Sequence, residues 1–343
     1  MIDGKMVPYI SVIIQAYNRK EYVLDAFRSA RRQTLSFKNY EIIVTKNFKD
    51  REIDNYIERH GGRLIFFEGG SVGDQIADAV QRAKGRLICF LDDDDLFLST
   101  KLNFTLRTFQ KVPSLLYIHN NLVYINEEKK QLKKPNHFEK EGNFIIEPSK
   151  VSLADLIRLE DLSPGQNMSA ISIKKSILIN IIKDIDIIKY VSTTPDLILY
   201  LLTLDYGSKN GGKLYISRKK LTKYRFHEST SISIRDYDSF RRKQLLISSK
   251  VVKNLNLIYS HINIKTIKQY LKYTIKKVLI EYYFYKSNAL NFRIRAFAAY
   301  LENFKYNFYI KPLRTLARGL ILLSFILAPE FTRRSVFNLL YKQ

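Results

Sequence analysis

Cysteine is almost absent from this chain. With Cys89 alone among 343 residues, no intrachain disulfide can form, which fits a reducing compartment. Cys89 lies inside an apolar run, so a structural thiol is expected there rather than a reactive one. Long hydrophobic runs are also missing. No stretch reaches the ~18 uninterrupted apolar residues of a spanning helix, and the nearest approach is Gly319 to Pro329. The opening Met1-Ile-Asp-Gly-Lys-Met lacks a basic segment leading into an apolar one, which argues against export by that route. The loop after the first apolar run, Gln15-Ala-Tyr-Asn18, contains no glycine. Glycines 69, 70 and 73 neither form Gly-x-Gly-x-x-Gly nor lead into Gly-Lys-Ser/Thr. A P-loop NTPase and a Rossmann dehydrogenase are therefore disfavoured.

Acidic residues are scarce in the last third. Arg241 to Gln343 holds 20 Lys or Arg against three Asp or Glu, a surplus of 17 within a total of +24. The first 240 residues carry only the remaining +7, so the basicity belongs to the tail. Such a tail seeks a negative surface: anionic lipid, nucleic acid or another polyanion. Its apolar residues Ile267, Leu271, Ile275, Val278 and Tyr282 recur at three- and four-residue spacings between lysines. That pattern predicts amphipathic helices with a basic face. Gly319 to Leu327, flanked by Arg314, Arg318, Arg333 and Arg334, suits a helix lying in a membrane interface with its arginines snorkelling. A purely structural helical subdomain fits the same residues.

What the chain does possess is an unusual run. Leu87 to Leu91 reads as a buried parallel strand and ends in Asp92, Asp93, Asp94 and Asp95. Ligands bind at the carboxyl ends of strands in open α/β sheets, and four adjacent carboxylates repel one another unless a positive charge sits among them. A divalent cation such as Mg²⁺ or Mn²⁺, in turn holding phosphates, is the economical explanation. The alternative is a solvated acidic turn capping a helix from Leu98 onward, with Asp95 or Ser99 as its cap.

Around that run the chain alternates strands and helices. Tyr9 to Gln15, Tyr40 to Thr45 and Arg63 to Phe67 read as strands. Tyr22, Val23, Ala26, Phe27 and Ala30 mark one helix, and Ile76, Ala77, Val80 and Ala83 another. This order predicts an α/β fold with a parallel sheet. Leu115 to Ile125, Ser169 to Ile173 and Leu214 to Ile216 are further strands, and Lys175 to Ile182 a helix. Asn126 to Lys140 is a polar, lysine-rich surface loop. His119 and His137 read as ordinary polar residues. Thr193 or Thr194 can cap a helix with Pro195 in its first turn, placing Asp196 in that turn near the positive end of the dipole.

Several of these stretches together resemble one family, the family-2 glycosyltransferases of GT-A fold. They are Ser11-Val-Ile-Ile-Gln-Ala-Tyr-Asn-Arg19, Ala26 to Thr34, Glu41 to Val44, Gly69 through Asp95, and Leu221 to Thr230 with its Tyr-Arg-x-His segment. The resemblance covers roughly the first 230 residues. It implies a GT-A-type, Rossmann-like, mostly parallel sheet over residues 1–235, with a nucleotide-sugar half to about 125 and an acceptor half from 126. A basic helical extension, expected to associate with membrane, takes 236–343. It also implies inverting transfer of a sugar from a nucleotide-diphosphate donor to a hydroxyl of a glycan, polysaccharide or lipid-linked acceptor. Mg²⁺ or Mn²⁺ would be held by Asp94 and Asp92 with His227, for which a locally hydrogen-bonded histidine is the lesser alternative. Gln15, Tyr17, Asn47, Asp74, Asp92 and Asp93 would contact the donor, and Asp196 would be the catalytic base, with Asp205 a weaker candidate. Relatives place one or two aspartates after the second strand, where this chain has Lys46 and Asn47, the next acid being Asp50. Asp74-Gln75 likewise replaces a more usual Arg-Asn, so a uridine preference does not carry over. The expected location is the cytoplasmic face of the cell membrane. A metal-dependent nucleotidyltransferase is the alternative enzyme, and a nucleic-acid-binding protein, suggested by charge alone, ranks below it.

Overall fold

The computed structural model describes residues 7–132, 142–184, 191–227, 236–287 and 289–341. It divides into two compact units: Met1–Lys150 with Asp161–Phe226, and Val151–Glu160 with His227–Gln343. The division falls earlier than the expected 235/236 boundary, and Val151–Glu160, expected in the catalytic domain, joins the helical unit. Residues 133–140 of the lysine-rich loop, His137, and Glu228 to Thr230 of the last family-like segment lie outside the described residues.

The first unit opens with β1 (Ile10–Ala16), α1 (Val23–Arg31), β2 (Tyr40–Lys46), α2 (Arg51–Arg59), β3 (Gly62–Phe66), α3 (Val72–Arg82) and β4 (Leu87–Asp92). After these come β5 (Leu96–Phe97), α4 (Lys101–Lys111), β6 (Leu115–Ile125) and β7 (Phe144–Ile146). Beyond α5 (Leu153–Leu159), which belongs to the second unit, follow β8 (Ile171–Lys174), α6 (Lys175–Asp184), α7 (Pro195–Asn210) and β9 (Lys213–Arg225). One sheet runs in the order β3-β2-β1-β4-β8-β6-β9-β5, with β7 on β9. It is parallel through β3, β2, β1 and β4, then mixed, because β8 runs antiparallel to both β4 and β6.

The parallel half follows from its residues. Every residue of β1 is buried, as an apolar strand covered on both faces requires. Ile10, Val12 and Ile14 pack with Ala26, Phe27 and Ala30 of α1, the helix face the periodicity marked. Gly85 lets the chain enter β4 close against β1, since a Cβ there would lie 2.4 Å from the Ser11 nitrogen. In-register pairing then carries Gln15 beside Asp92, so the two strands end together. Cys89 is fully buried, its Sγ 3.3 Å from the Ser172 hydroxyl, and burial pushes its thiol pKa up. Native protein is expected to leave this thiol unmodified by DTNB until denaturant is added; prompt reaction in native buffer would contradict the packing.

Three local expectations change. The helix after the acids starts at Lys101 rather than Leu98, and neither Asp95 nor Ser99 caps it; Thr100 occupies the cap position without a side-chain bond. The intervening Leu96 and Phe97 instead pair with Lys223 and Thr222 of β9. The strand expected over Leu214 to Ile216 runs on to Arg225, as one strand Lys213–Arg225. Finally, α2 was not anticipated: Asp50, the acid nearest the missing nucleotide aspartates, caps it by accepting from the Ile53 N–H at 3.2 Å.

The second unit adds α8 (Tyr237–Tyr259), α9 (Lys265–Lys286), α10 (Leu290–Ile310), α11 (Pro312–Leu327) and α12 (Pro329–Tyr341). It has its own core, in which Phe240, Phe284, Tyr300, Leu322 and Phe325 pack together. Arg333, expected to snorkel toward lipid, is buried instead. Its guanidinium donates to the carbonyls of Phe284 and Ser287 and stacks 4.9 Å from the Phe325 ring.

Candidate active site

The acidic strand end is not a solvated turn. Asp93 and Asp95 are buried and Asp92 and Asp94 half-buried, and the loop is fixed by its own backbone. The Asp93 N–H donates to the Gln15 carbonyl at 3.2 Å, the Asp95 N–H to the Asp92 carbonyl at 3.2 Å, and the Asp92 N–H to the Ser169 hydroxyl at 2.9 Å. The positive charge that such a run demands is present in the chain itself. Arg19, just past the end of β1, forks Asp93 through Nη2 and through Nε at 3.1 Å, and its Nη2 lies 2.8 Å from Asp94. Asp93, expected to contact the donor, is thus committed to Arg19. Burial raises its pKa to about 6 even with the arginine pulling the other way.

Asp95 is the structural anchor. One of its oxygens accepts from the Asn167 amide at 2.8 Å and the Ser169 hydroxyl at 2.7 Å, the other from the Arg225 N–H at 3.0 Å. Burial, then the Asp94 charge, pushes its pKa up to about 7 against those hydrogen bonds. Arg225 also donates from Nε to the Asp94 carbonyl at 2.8 Å and from Nη1 to the Glu127 carbonyl at 2.7 Å.

Asn167 joins this anchor to the candidate base. While its side-chain amide holds Asp95, its backbone N–H donates to Asp196 at 2.7 Å. It does so at φ 66°, ψ 109°, a conformation that costs a non-glycine residue of order 1–3 kcal/mol. Beneath this strap the fully buried Lys101 donates to Asn120 and to the carbonyls of Ser169 at 3.4 Å and Ala170 at 3.3 Å. Burial lowers its pKa to about 8. Asp196 sits in the first turn of α7, its second oxygen taking the Leu197 N–H at 2.9 Å. Thr194 holds the cap position in a left-handed conformation, without the side-chain cap expected of it. Burial raises Asp196 to about 6, partly offset by the two backbone donors. Asp205, the weaker base candidate, pairs with Lys209 at 2.6 Å.

The remaining donor-side residues divide. Tyr17 is half exposed at the end of β1, and the buried Gln15 side-chain nitrogen has no hydrogen-bond partner. Asn47 donates its side-chain amide to Asn18 Oδ1 at 2.7 Å and accepts the Asn18 backbone N–H at 2.8 Å, and Lys46 pairs with Asp54 at 2.8 Å. Asp74 lies in the first turn of α3, with its N–H capped by Ser71 at 3.0 Å. His227 is buried and is the first residue of the 227–343 segment of the second unit.

Among the described residues no three His, Cys, Asp or Glu side chains form a ready metal cluster. Asp92 and Asp94 nonetheless suit a hard divalent cation that completes its shell with diphosphate and water oxygens. No ion pair engages the Asp92 carboxylate among the described residues. Burial, followed by Asp95, Asp94, Asp93 and Asp196, holds it well above the ordinary carboxylate range, and a cation there would relieve that repulsion. No role was foreseen for Arg19, Asn167, Lys101 or Arg225. Of these, Arg19 closes the opening family-like stretch and Arg225 is the arginine of the Tyr-Arg-x-His segment, so both carried a signal, whereas Asn167 and Lys101 carried none.

The Glycosyl transferase family 2 model matches residues 11–161. A protein of Rickettsia bellii described as an uncharacterized glycosyltransferase is 30% identical over 138 residues, 39% of this chain and 20% of its own length. UDP-Glc:alpha-D-GlcNAc-diphosphoundecaprenol beta-1,3-glucosyltransferase WfaP of Escherichia coli is 31% identical over 124 residues, 35% of this chain and 47% of its own. The match therefore spans from a fifth to about half the length of these relatives. Among solved structures, Staphylococcus aureus TarS 1–349 in complex with UDP-GlcNAc superposes at TM-score 0.54 with 15% identity, over 94% of this chain and 88% of that one. The mannosyltransferase PcManGT from Pyrobaculum calidifontis, in complex with GDP-Man and Mn²⁺, superposes at 0.52 with 12% identity, over 98% and 89%. At these identities the likeness establishes the fold, which is the GT-A type that the family-like stretches implied.

Proposed function

We propose that the chain, whose residues 11–161 match the Glycosyl transferase family 2 model, moves a sugar, with inversion, from a nucleotide-diphosphate donor to an acceptor hydroxyl. The observation that carries this reading is Asn167, which ties the acidic strand end to Asp196 through one residue. Two kinds of carboxylate chemistry are thereby held side by side. Asp94 and Asp92 would hold Mg²⁺ or Mn²⁺, which when bound neutralises charge growing on the departing nucleoside diphosphate. Asp196 takes the proton from the acceptor hydroxyl at a carboxylate oxygen, opposite the leaving group. Its backbone donors fix the direction of that carboxylate. Tyr17 offers an exposed ring for the base to stack on, and the orphan Gln15 amide is a donor positioned beside Asp92.

A glycan or lipid-linked acceptor is supported by WfaP, whose name describes action on a diphosphoundecaprenol-linked GlcNAc. That acceptor class would place the protein peripherally on the cytoplasmic face of a membrane. Incubation with UDP- and GDP-sugars with and without Mn²⁺, following release of the nucleoside diphosphate, tests the reaction. Metal-dependent release is expected, and release of pyrophosphate would overturn the assignment. Asp94→Asn is expected to reduce turnover by about 100-fold or more and to raise the Mn²⁺ requirement, as loss of an oriented metal contact does. Full activity of that variant in saturating Mn²⁺ would remove Asp94 from the metal site.

A further inference from the structure

The second unit leaves one helix face unexplained. On α11, Thr315, Gly319, Leu322 and Phe325 are buried, and Tyr300 sets the roll of the helix by donating to the Thr315 carbonyl at 2.8 Å. Gly319 permits the approach, since a Cβ there would lie 2.7 Å from the Tyr300 hydroxyl oxygen. With that side committed inward, Leu313 (82% exposed), Leu316 (48%), Leu320 (65%), Leu323 (47%) and Leu327 (84%) face water. Their spacings of three, four, three and four place them in a single stripe along the helix. Phe331 at the start of α12 is also 74% exposed. A contiguous exposed stripe of this kind marks an interaction surface.

The charge around it selects the occupant. Arg314 and Arg318 are exposed on the same helix, outside the stripe, and Arg241 to Gln343 carries 20 cationic residues against three acidic ones. A second copy would bring two strongly cationic segments together, whereas an anionic bilayer attracts that net charge while it accepts the leucines. No helix among the described residues is long and apolar enough to cross a membrane, so the fitting geometry is a helix lying in the interface. We propose that the Leu313–Leu316–Leu320–Leu323–Leu327 stripe of α11 is the surface on which the protein docks to anionic lipid. This narrows the membrane placement above to one helix face. Its test reads lipid contact alone, so it stands or falls apart from glycosyl transfer.

The chain has no tryptophan, so Leu320→Trp in the full-length protein supplies a single indole. In vesicles of phosphatidylcholine with phosphatidylglycerol, its emission is expected to shift to the blue and to be quenched by brominated lipid. In phosphatidylcholine alone both effects should be much weaker, and added salt should reverse them. The triple variant Leu313→Ser, Leu320→Ser, Leu327→Ser, which alters only exposed positions, is expected to bind anionic vesicles about 100-fold more weakly with its melting temperature unchanged. An unquenched indole would overturn the proposal, as would wild-type vesicle binding by the triple variant. Sedimentation showing a dimer that the triple variant abolishes would reassign the stripe to self-association.

Discussion

Asp196→Asn is expected to lower kcat by about 10²–10⁴-fold, the range that positioned general bases supply, while leaving donor affinity near its original value. The side chain is isosteric, and the donor-side residues around Asp94 are untouched. Its pH behaviour distinguishes a base from a merely structural acid. With a pKa raised to about 6 by burial, Asp196 accepts a proton only when ionised. Turnover of the parent should therefore climb about tenfold per pH unit below 6 and level off above it. The variant should lose its dependence on that group. Stability runs the other way. A carboxyl with a raised folded-state pKa contributes stability below its ordinary range near 4, and that contribution is lost as pH rises through about 6. At pH 8 the neutral amide is thus spared a penalty that the carboxylate bears. It gives up one of the two backbone hydrogen bonds, worth about 1 kcal/mol. The melting temperature at pH 8 should stay within a few degrees of the parent. Activity within tenfold of the parent would exclude Asp196 as the base, and unchanged activity with Asp205→Asn would be consistent with the Lys209 pairing of that residue.

The parts of the molecule that were readable in advance depend on local repetition. Strands β1, β2 and β4 and helices α1 and α3 announce themselves because burial on both faces, or on one stripe, must recur at fixed spacing. The four acids were legible for the same reason: a charge run closing an apolar strand has few uses. Their partner was not. Arg19 is 74 positions from Asp93, and nothing in an arginine after a strand tells which carboxylate the fold will bring to it. Asn167 was hidden because its role rests on a left-handed backbone that only the packed loop imposes. Arg333 misled in a particular way, and Lys101 escaped notice for the same reason. A cation at a helical position reads as solvated, yet each extends its stem through apolar surroundings to reach backbone carbonyls in the interior. The pairing of Lys46 with Asp54 was hidden for the same reason, since α2 had not been foreseen.

Arg225→Met carries the largest expected loss of stability, about 3 kcal/mol. The guanidinium is fully buried and uses its donors on three elements at once: the Asp94 carbonyl, the Glu127 carbonyl and, at 3.3 Å, the Asp25 carboxylate. It also stacks 4.6 Å from the Tyr22 ring. Methionine fills much of the volume and keeps the chain apolar, so the cost is that of two carbonyls left without their charge-assisted donor and one broken ion pair, placing it near the low end of about 3–5 kcal/mol for breaking a buried pair. Asp25 is not orphaned, because Lys129 remains 2.9 Å away. For a unit of this size the melting temperature should fall by about 10 °C. Arg225→Lys keeps the charge but cannot reproduce the fork, and an intermediate loss is expected. Asp25→Asn, which spares both carbonyl bonds, should cost least. That ranking, read from urea midpoints, distinguishes a carbonyl-holding arginine from a simple ion pair, for which Asp25→Asn and Arg225→Met would cost alike. Arg225→Lys also separates folding from function. Where it remains folded, release of the Asp94 carbonyl loosens the acidic loop, and the Mn²⁺ concentration for half-maximal turnover should rise while the apparent affinity for acceptor holds. Equal midpoints for Arg225→Met and the parent would mean that the acidic loop keeps its shape without this residue.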